Sequence, residues 1–320
     1  MASGRVRFSV VICAYTEKRW DDLVAAVESL RVQTHPPEEV ILVIDHNPGL
    51  AERVWREIPD VTCVENHGTQ GLSDARNSGL AVARGDVVAF LDDDAEAEPR
   101  WLSVLAESYA DPAVVAVGGF AEPDWAEGRP SWFPREFDWV VGCTYRGMPE
   151  VASPVRNLIG CNMSFRREIF ADLGGFTAGI GRLGTRPVGC EETELCIRIG
   201  QRRPGSVILF DPRALVHHHV PGSRGTWAYF RSRCYAEGLS KAAVAALVGA
   251  GEGLASERAY TTRTLPRGVV NGIAAGVKGE AGGFGRAAAI VAGVSLATVG
   301  YGLGRLSPRR FAQAGMVPAA

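Results

Sequence analysis

Four short apolar runs, separated by stretches of helical character, fill residues 8–94 and constrain the fold more than any other feature of the chain. Phe8–Cys13 reads as a first strand, with Ala14-Tyr15-Thr16-Glu17 as the loop at its C-terminal end. Asp21 and Asp22 head a helix in which Leu23, Val27 and Leu30 recur at helical spacing, and Pro36-Pro37 stops it. Val40–Ile44 is the second strand and Asp45-His46-Asn47-Pro48 its exit turn. A helix near Leu50–Glu57 and a strand around Val61–Glu65 follow. Gly68–Ser73 forms a tight loop, with Ser73 as N-cap of a helix over Asp74–Arg84 that Gly85 ends. Val87–Leu91 is the fourth strand. Alternation of this kind predicts a doubly wound, parallel α/β sheet. Right-handed crossovers then bring every exit loop to one rim.

The fourth strand runs straight into Asp92-Asp93-Asp94. Three adjacent carboxylates repel one another unless a cation sits among them, and hard oxygen ligands suit magnesium or manganese. The alternative is a solvated acidic turn capping the helix that begins near Pro99. The C-terminal end of a strand is where open α/β sheets bind ligands. On the same rim, Gly71 and the helix after it offer backbone N–H groups to phosphates. Tyr15 offers a ring to a base, and Asp45 an acceptor to a base or ribose. No G-x-G-x-x-G follows the first strand and no G-x-x-x-x-G-K-[ST] occurs, so neither a dinucleotide fold nor P-loop chemistry is signalled.

Beyond the acids, a helix is expected over Pro99–Tyr109 and a strand over Val114–Gly119. Residues 121–157 are rich in Pro, Trp and Arg and read as a long functional loop, in which Trp125, Trp132 and Trp139 pack a core or stack on a sugar. A Gly-rich stretch, 179–189, is expected to be flexible; it precedes Glu191-Glu192-Thr193-Glu194, a set that also suits a charged first helical turn. Val207–Phe210 and Ala214–Val216 read as two strands. In His217-His218-His219, strand alternation turns His218 away from its neighbours.

The net charge of −2 hides an asymmetry. Residues 221–320 hold 12 basic against 4 acidic residues, and the first 220 hold 22 against 32. A basic tail on an acidic body is expected to meet something anionic. A helix over 226–249 carries Arg231, Arg233 and Lys241 beside Trp227, Tyr229 and Phe230, which suits a membrane interface or a lipid phosphate. Residues 287–304 run 18 positions without a charge, the lower limit for a spanning helix. A membrane-surface segment is expected there, with a soluble helical appendage as the alternative. Seven cysteines without a C-x-x-C pair, and no secretory signal, point to a reducing, cytoplasmic setting.

Taken in order, Val10–Tyr15, Val43–Asn47, Gly71–Leu80 and Phe90–Asp94 resemble the family 2 glycosyltransferases. Gly160–Arg167, Gly174-Gly175-Phe176 and Cys190–Arg198 are similar to that family's acceptor-side motifs. The resemblance covers about residues 6–220. It implies a GT-A fold over 1–220, with 6–95 binding a nucleotide sugar and 96–220 serving the acceptor and catalysis, and 221–320 as a tail. The implied work is metal-dependent, inverting hexosyl transfer from a nucleotide sugar, UDP-linked, to a lipid-linked or polysaccharide acceptor at the cytoplasmic membrane face. Nucleic acid is not an expected partner.

The resemblance also implies roles. Asp92 contacts the sugar or ribose and, with Asp94 and His218, holds manganese or magnesium; Asp93 lies between them. Ala14, Tyr15, Glu17, Asp45 and His46 line the nucleotide, and Gly71, Asp74 and Asn77 lie over it. The family's base sits in a Glu-Asp pair. Here the pair is Glu191-Glu192, with Glu192 in the Asp position. Asn162, Trp139 and Arg156 fall on the acceptor side. Phe137–Tyr145 with Val155–Gly160 look like a branch that extends polyprenyl- or dolichyl-phosphate-linked sugars, some with glucuronic acid. Two departures stand out: Cys13 replaces the usual Pro, and His46 replaces a second acid that often reads uracil. Transfer to a soluble acceptor, silent nucleotide-sugar binding and nucleotidyl transfer are the rival readings.

Overall fold

The computed structural model describes residues 5–178, 189–249 and 260–306, so all of the Gly-rich stretch 179–189 except its last residue lies outside the described residues. The chain divides into two compact units. The first comprises Met1–Glu122, Pro149–Gly184 and Glu191–His218, and the second Pro123–Met148, Thr185–Cys190 and His219–Ala320.

In the first unit, β1 (Phe8–Ala14), α1 (Trp20–Arg31), β2 (Glu39–Asp45), α2 (Pro48–Glu57), β3 (Thr62–Asn66), α3 (Leu72–Val82) and β4 (Val87–Asp92) alternate as expected. The pairs β2–β3, β1–β2 and β1–β4 are parallel. β5 (Ala95–Ala97), α4 (Trp101–Ser108), β6 (Val114–Trp125), β7 (Ser153–Pro154), β8 (Asn162–Arg166), α5 (Arg167–Leu173), α6 (Glu191–Arg202) and β9 (Val207–Val220) follow. The sheet order is β3-β2-β1-β4-β8-β6-β9-β5, with β7 on β9, and β8 joins β4 antiparallel.

Strand alternation sorts the core into two layers. Val10 and Ile12 of β1, Leu42 and Ile44 of β2, and Val87, Ala89 and Leu91 of β4 pack against Leu23, Val27, Leu50 and Trp101. Val11, Ile41, Val43, Val88 and Phe90 face the other way, onto Ala75, Phe170 and Leu195. Helices therefore cover both faces. Asp92 continues the series of Val88 and Phe90, so the sheet turns its carboxylate toward the side of α3 and α6. Gly79 lets α3 come this close, since a Cβ there would stand 2.6 Å from Val11 Cγ1.

Three expectations change. The helix after the Gly-rich loop starts at Leu72, with Gly71 rather than Ser73 at the N-cap. Gly71 takes φ 139°, which only glycine adopts without strain. The two strands read in 207–216 are one, β9. Pro212 looks like a break, but buried Asp211 accepts from the Arg213 amide at 3.0 Å and from its guanidinium at 2.7 Å, carrying the strand across. The stretch 121–157 is only partly loop: β6 runs on to Trp125, and Arg135–Val141 forms a 3-10 helix.

The second unit holds α7 (Trp227–Val248), α8 (Leu265–Val277) and α9 (Gly283–Leu306). The Arg135–Val141 helix joins them through an aromatic core of Phe133, Phe137 and Phe230. Trp227 stacks on Phe230 at 5.3 Å. Glycines allow backbone contact between α7 and α9. A Cβ on Gly238 would stand 2.0 Å from the Ala297 carbonyl oxygen, and one on Gly300 2.2 Å from that of Tyr235. α9 is long and apolar enough to cross a membrane by length and composition, with a mean hydropathy of 1.6, and a third (33%) of that apolar window is buried.

Candidate active site

The rim of the parallel strands carries the acids. The register sets Cys13 of β1 beside Asp92, and Ala95 of β5 beside His218 of β9. His218 is buried, unlike His217 and His219, and its Nε2 lies 3.2 Å from Asp94 Oδ1. One ligand atom each from Asp92, Asp94 and His218 fall within 4.8 Å of one another. Two carboxylate oxygens and an imidazole nitrogen are donors that a divalent cation of the manganese type accepts. Asp93 Oδ2, close by, is buried without a hydrogen-bond partner among the described residues. Burial, and then the neighbouring Asp94 carboxylate, push the Asp93 carboxyl up from its ordinary value, against the pull of Arg19. An unpartnered buried carboxylate oxygen beside these donors fits a set suited to a cation.

Arg19 and Arg76 were not singled out in the sequence, and both turn out to matter. Arg19 closes the 3-10 turn Glu17–Arg19 after β1, and its Nη1 reaches Asp93 Oδ1 at 2.7 Å and Asp94 Oδ2 at 3.2 Å. Arg76, on α3, is 2% exposed. It donates to Glu191 Oε1 at 2.6 Å, to the Gly160 carbonyl at 3.0 Å and to Asp92 Oδ1 at 3.5 Å. Burial would lower its pKa, but Glu191 and then Asp92 raise it, so it stays charged. An Arg inside an amphipathic helix reads as a solvated face, so only its place within Gly71–Leu80 hinted at it.

Arg76 separates the acids of α6. Glu191 is buried on Arg76, and Glu194 is buried between Arg198, at 2.8 Å, and Thr177 Oγ1, at 2.9 Å. Glu192 is half-buried and keeps a solvent-facing surface. Glu192 and Arg156 both act on the Cys196 thiol, which burial pushes up to about 12. Arg156 Nε donates to Asn157 Oδ1 at 3.0 Å.

Several residues read as ligand contacts are occupied by the protein itself. Asp45 accepts from Asn66 Nδ2 at 2.7 Å, from the Gly71 amide at 2.9 Å and, across 2.8 Å, faces His46 Nδ1, so it ties β3 and the Gly-rich loop to β2. Asp74 accepts from the Thr69 amide at 2.9 Å. Asn77 clasps Phe176 from both sides, accepting from its amide at 2.8 Å and donating to its carbonyl at 2.9 Å. Tyr15 and Glu17 are exposed after β1, while Ala14 is buried.

One acceptor-side reading is corrected. Asn162 is 0% exposed, with Trp101 Nε1 at 2.9 Å and the Phe120 and Ala214 carbonyls at 3.0 and 2.9 Å, and has no surface left for an acceptor. Trp139 belongs to the second unit, where its indole donates to Tyr260 Oη at 3.1 Å.

A family model, glycosyl transferase family 2, matches residues 9–174. The chain belongs to that family. A "Glucosyl-dolichyl phosphate glucuronosyltransferase" of Haloferax volcanii is 38% identical over 240 residues, covering 74% of this chain and 76% of the relative. "Succinoglycan biosynthesis protein ExoM" of Rhizobium meliloti is 27% identical over 247 residues, 74% and 75% of the two chains. Among solved structures, the mannosyltransferase PcManGT from Pyrobaculum calidifontis, in complex with GDP-Man and Mn2+, is similar at TM-score 0.57 and 19% identity, over 93% of this chain and 88% of that one. GalNAc-T7 with UDP, GalNAc and Mn2+ is similar at TM-score 0.51 and 19% identity, over 75% and 51%. The fold is thus that of the GT-A glycosyltransferases, and this family 2 member is a glycosyltransferase.

Proposed function

We propose that this glycosyltransferase moves a hexosyl group, with inversion, from a UDP-linked sugar to a lipid-linked or polysaccharide acceptor. The observation that carries the reading is Arg76. One buried guanidinium joins Asp92, at the donor rim, to Glu191, which heads the helix bearing Glu192. Glu192 takes the proton from the acceptor hydroxyl at its carboxylate, as the attacking oxygen bonds the anomeric carbon on the face opposite the diphosphate. The bond from that carbon to the diphosphate oxygen breaks, leaving a nucleoside diphosphate and an inverted glycoside. Asp92, Asp94 and His218 are the residues that hold a divalent cation. When bound, that cation supplies charge neutralisation for the departing diphosphate. The imidazole favours manganese over magnesium.

A hexuronic acid is the donor sugar and a polyprenyl-phosphate-linked sugar the acceptor, on the strength of the Haloferax relative's name. Exposed apolar residues of the second unit support the reading of a peripheral membrane contact. Val270, Ile273 and Val277 of α8 and Val299, Leu303 and Leu306 of α9 are exposed, with Arg267, Lys278 and Arg305 exposed in or beside the same helices. The test is a screen of UDP-, GDP- and dTDP-sugars, UDP-glucuronic acid included, against a polyprenyl-phosphate-linked glucose and a soluble glucoside. Manganese-dependent product on the lipid acceptor, lost in Asp94→Ala, is expected. Product on the soluble glucoside alone favours the rival acceptor class, and no product with any donor contradicts the reading.

A further inference from the structure

Arg19 has no part in the chemistry above, yet it touches two of the three rim acids. Its side chain is 22% exposed, so the contact is neither a loose surface pair nor a sealed one. The Tyr15 ring lies 5.9 Å from its guanidinium carbon. A cation of the protein therefore already stands at the edge of the set Asp92, Asp94 and His218.

We infer that Arg19 is a built-in counter-cation that makes capture of the metal depend on the nucleotide diphosphate. The inference rests on the reading of Asp92, Asp94 and His218 as metal ligands. A divalent ion on Asp94 places two positive charges a few ångströms from the guanidinium, and at partly buried sites that repulsion is substantial. The ion alone therefore binds weakly. A diphosphate brings negative charge that both cations share, and the repulsion is relieved. Asp93 gains a purpose in this arrangement. It anchors Arg19 at 2.7 Å, the shorter of the two contacts, so the guanidinium can release Asp94 without leaving the site. Linkage makes the coupling reciprocal: the nucleotide tightens the metal by the factor by which the metal tightens the nucleotide. Direct contact between ion and diphosphate also contributes, so removing Arg19 reduces the coupling and does not abolish it.

The test titrates the full chain with Mn2+ alone and with uridine diphosphate present, reading free Mn2+ by electron paramagnetic resonance. Arg19→Met and Arg19→Gln are expected to bind Mn2+ alone about tenfold tighter or more, and to lose a matching share of the enhancement by uridine diphosphate. Arg19→Lys keeps the charge and is expected to stay close to the wild type. Unchanged or weaker Mn2+ binding in both neutral variants, at wild-type circular dichroism, overturns the inference and leaves the metal site standing. No Mn2+ binding by any of the proteins, with or without the nucleotide, overturns both.

Discussion

Glu191 and Glu192 are neighbours in opposite circumstances. Glu191 is buried on Arg76, whereas Glu192 reaches solvent. A base must meet its acceptor, so exposure distinguishes the two acids, of which the resemblance had already set Glu192 in the family's Asp position. The same logic reassigns Asn162. Removing its amide takes a partner from the buried Trp101 indole and from two strand carbonyls, and a buried group left unpaired costs about 1–3 kcal/mol. Asn162→Ala is expected to lose about 2–4 kcal/mol in urea unfolding. Any activity that survives should keep its acceptor KM; a raised KM at unchanged stability would restore the binding role. The sequence showed that Asp92 and Asp94 end a strand and that His218 turns away from its neighbours, and the fold brings the three within 4.8 Å. Arg19 and Arg76 stayed hidden because a guanidinium on a helix or in a charged turn usually faces water, and only folding brings Glu191, 115 positions away, to Arg76.

At the scale of elements, short continuous apolar runs located the first four strands, because strands covered on both faces leave such runs, and helical spacing with caps and breakers marked the helices between them. Elements whose ends depend on partners were harder. Helix α3 begins where Gly71 can take a positive φ, and β9 crosses Pro212 because Asp211 rebuilds the lost support. Glycines also record close approach. A Cβ on Gly175 would stand 2.1 Å from Asn77 Oδ1. Gly175→Ala is expected to break the clasp on Phe176, cost about 1–3 kcal/mol and speed proteolysis next to the turn. Proteolysis and melting unchanged from wild type would show that the turn does not depend on the clasp. In the second unit, Gly238→Val drives a side chain into the Ala297 carbonyl and is expected to separate α7 from α9, read as faster amide exchange in both helices with β1 and β4 unaffected. Exchange that stays slow in α9 would count against that packing.

At the scale of the whole molecule, the basic stretch 221–320 lies in a unit with exposed apolar helices, and that unit also takes in Pro123–Met148. Composition showed the tail's charge, but hydropathy alone could not tell core from surface, because α9 has both a buried and an exposed side. Val270→Glu with Val277→Glu is expected to weaken flotation with anionic vesicles severalfold at unchanged melting temperature. Undiminished flotation would remove α8 from the membrane contact. The central claim is that Glu192 activates the acceptor at a donor site built on Asp92, Asp94 and His218. Its most direct measurement is turnover of UDP-glucuronic acid onto a polyprenyl-phosphate-linked glucose by Glu192→Gln, with donor affinity measured alongside. The account predicts a fall of about 10²–10⁴ in kcat with donor Kd and melting temperature unchanged. Wild-type kcat in Glu192→Gln would contradict it.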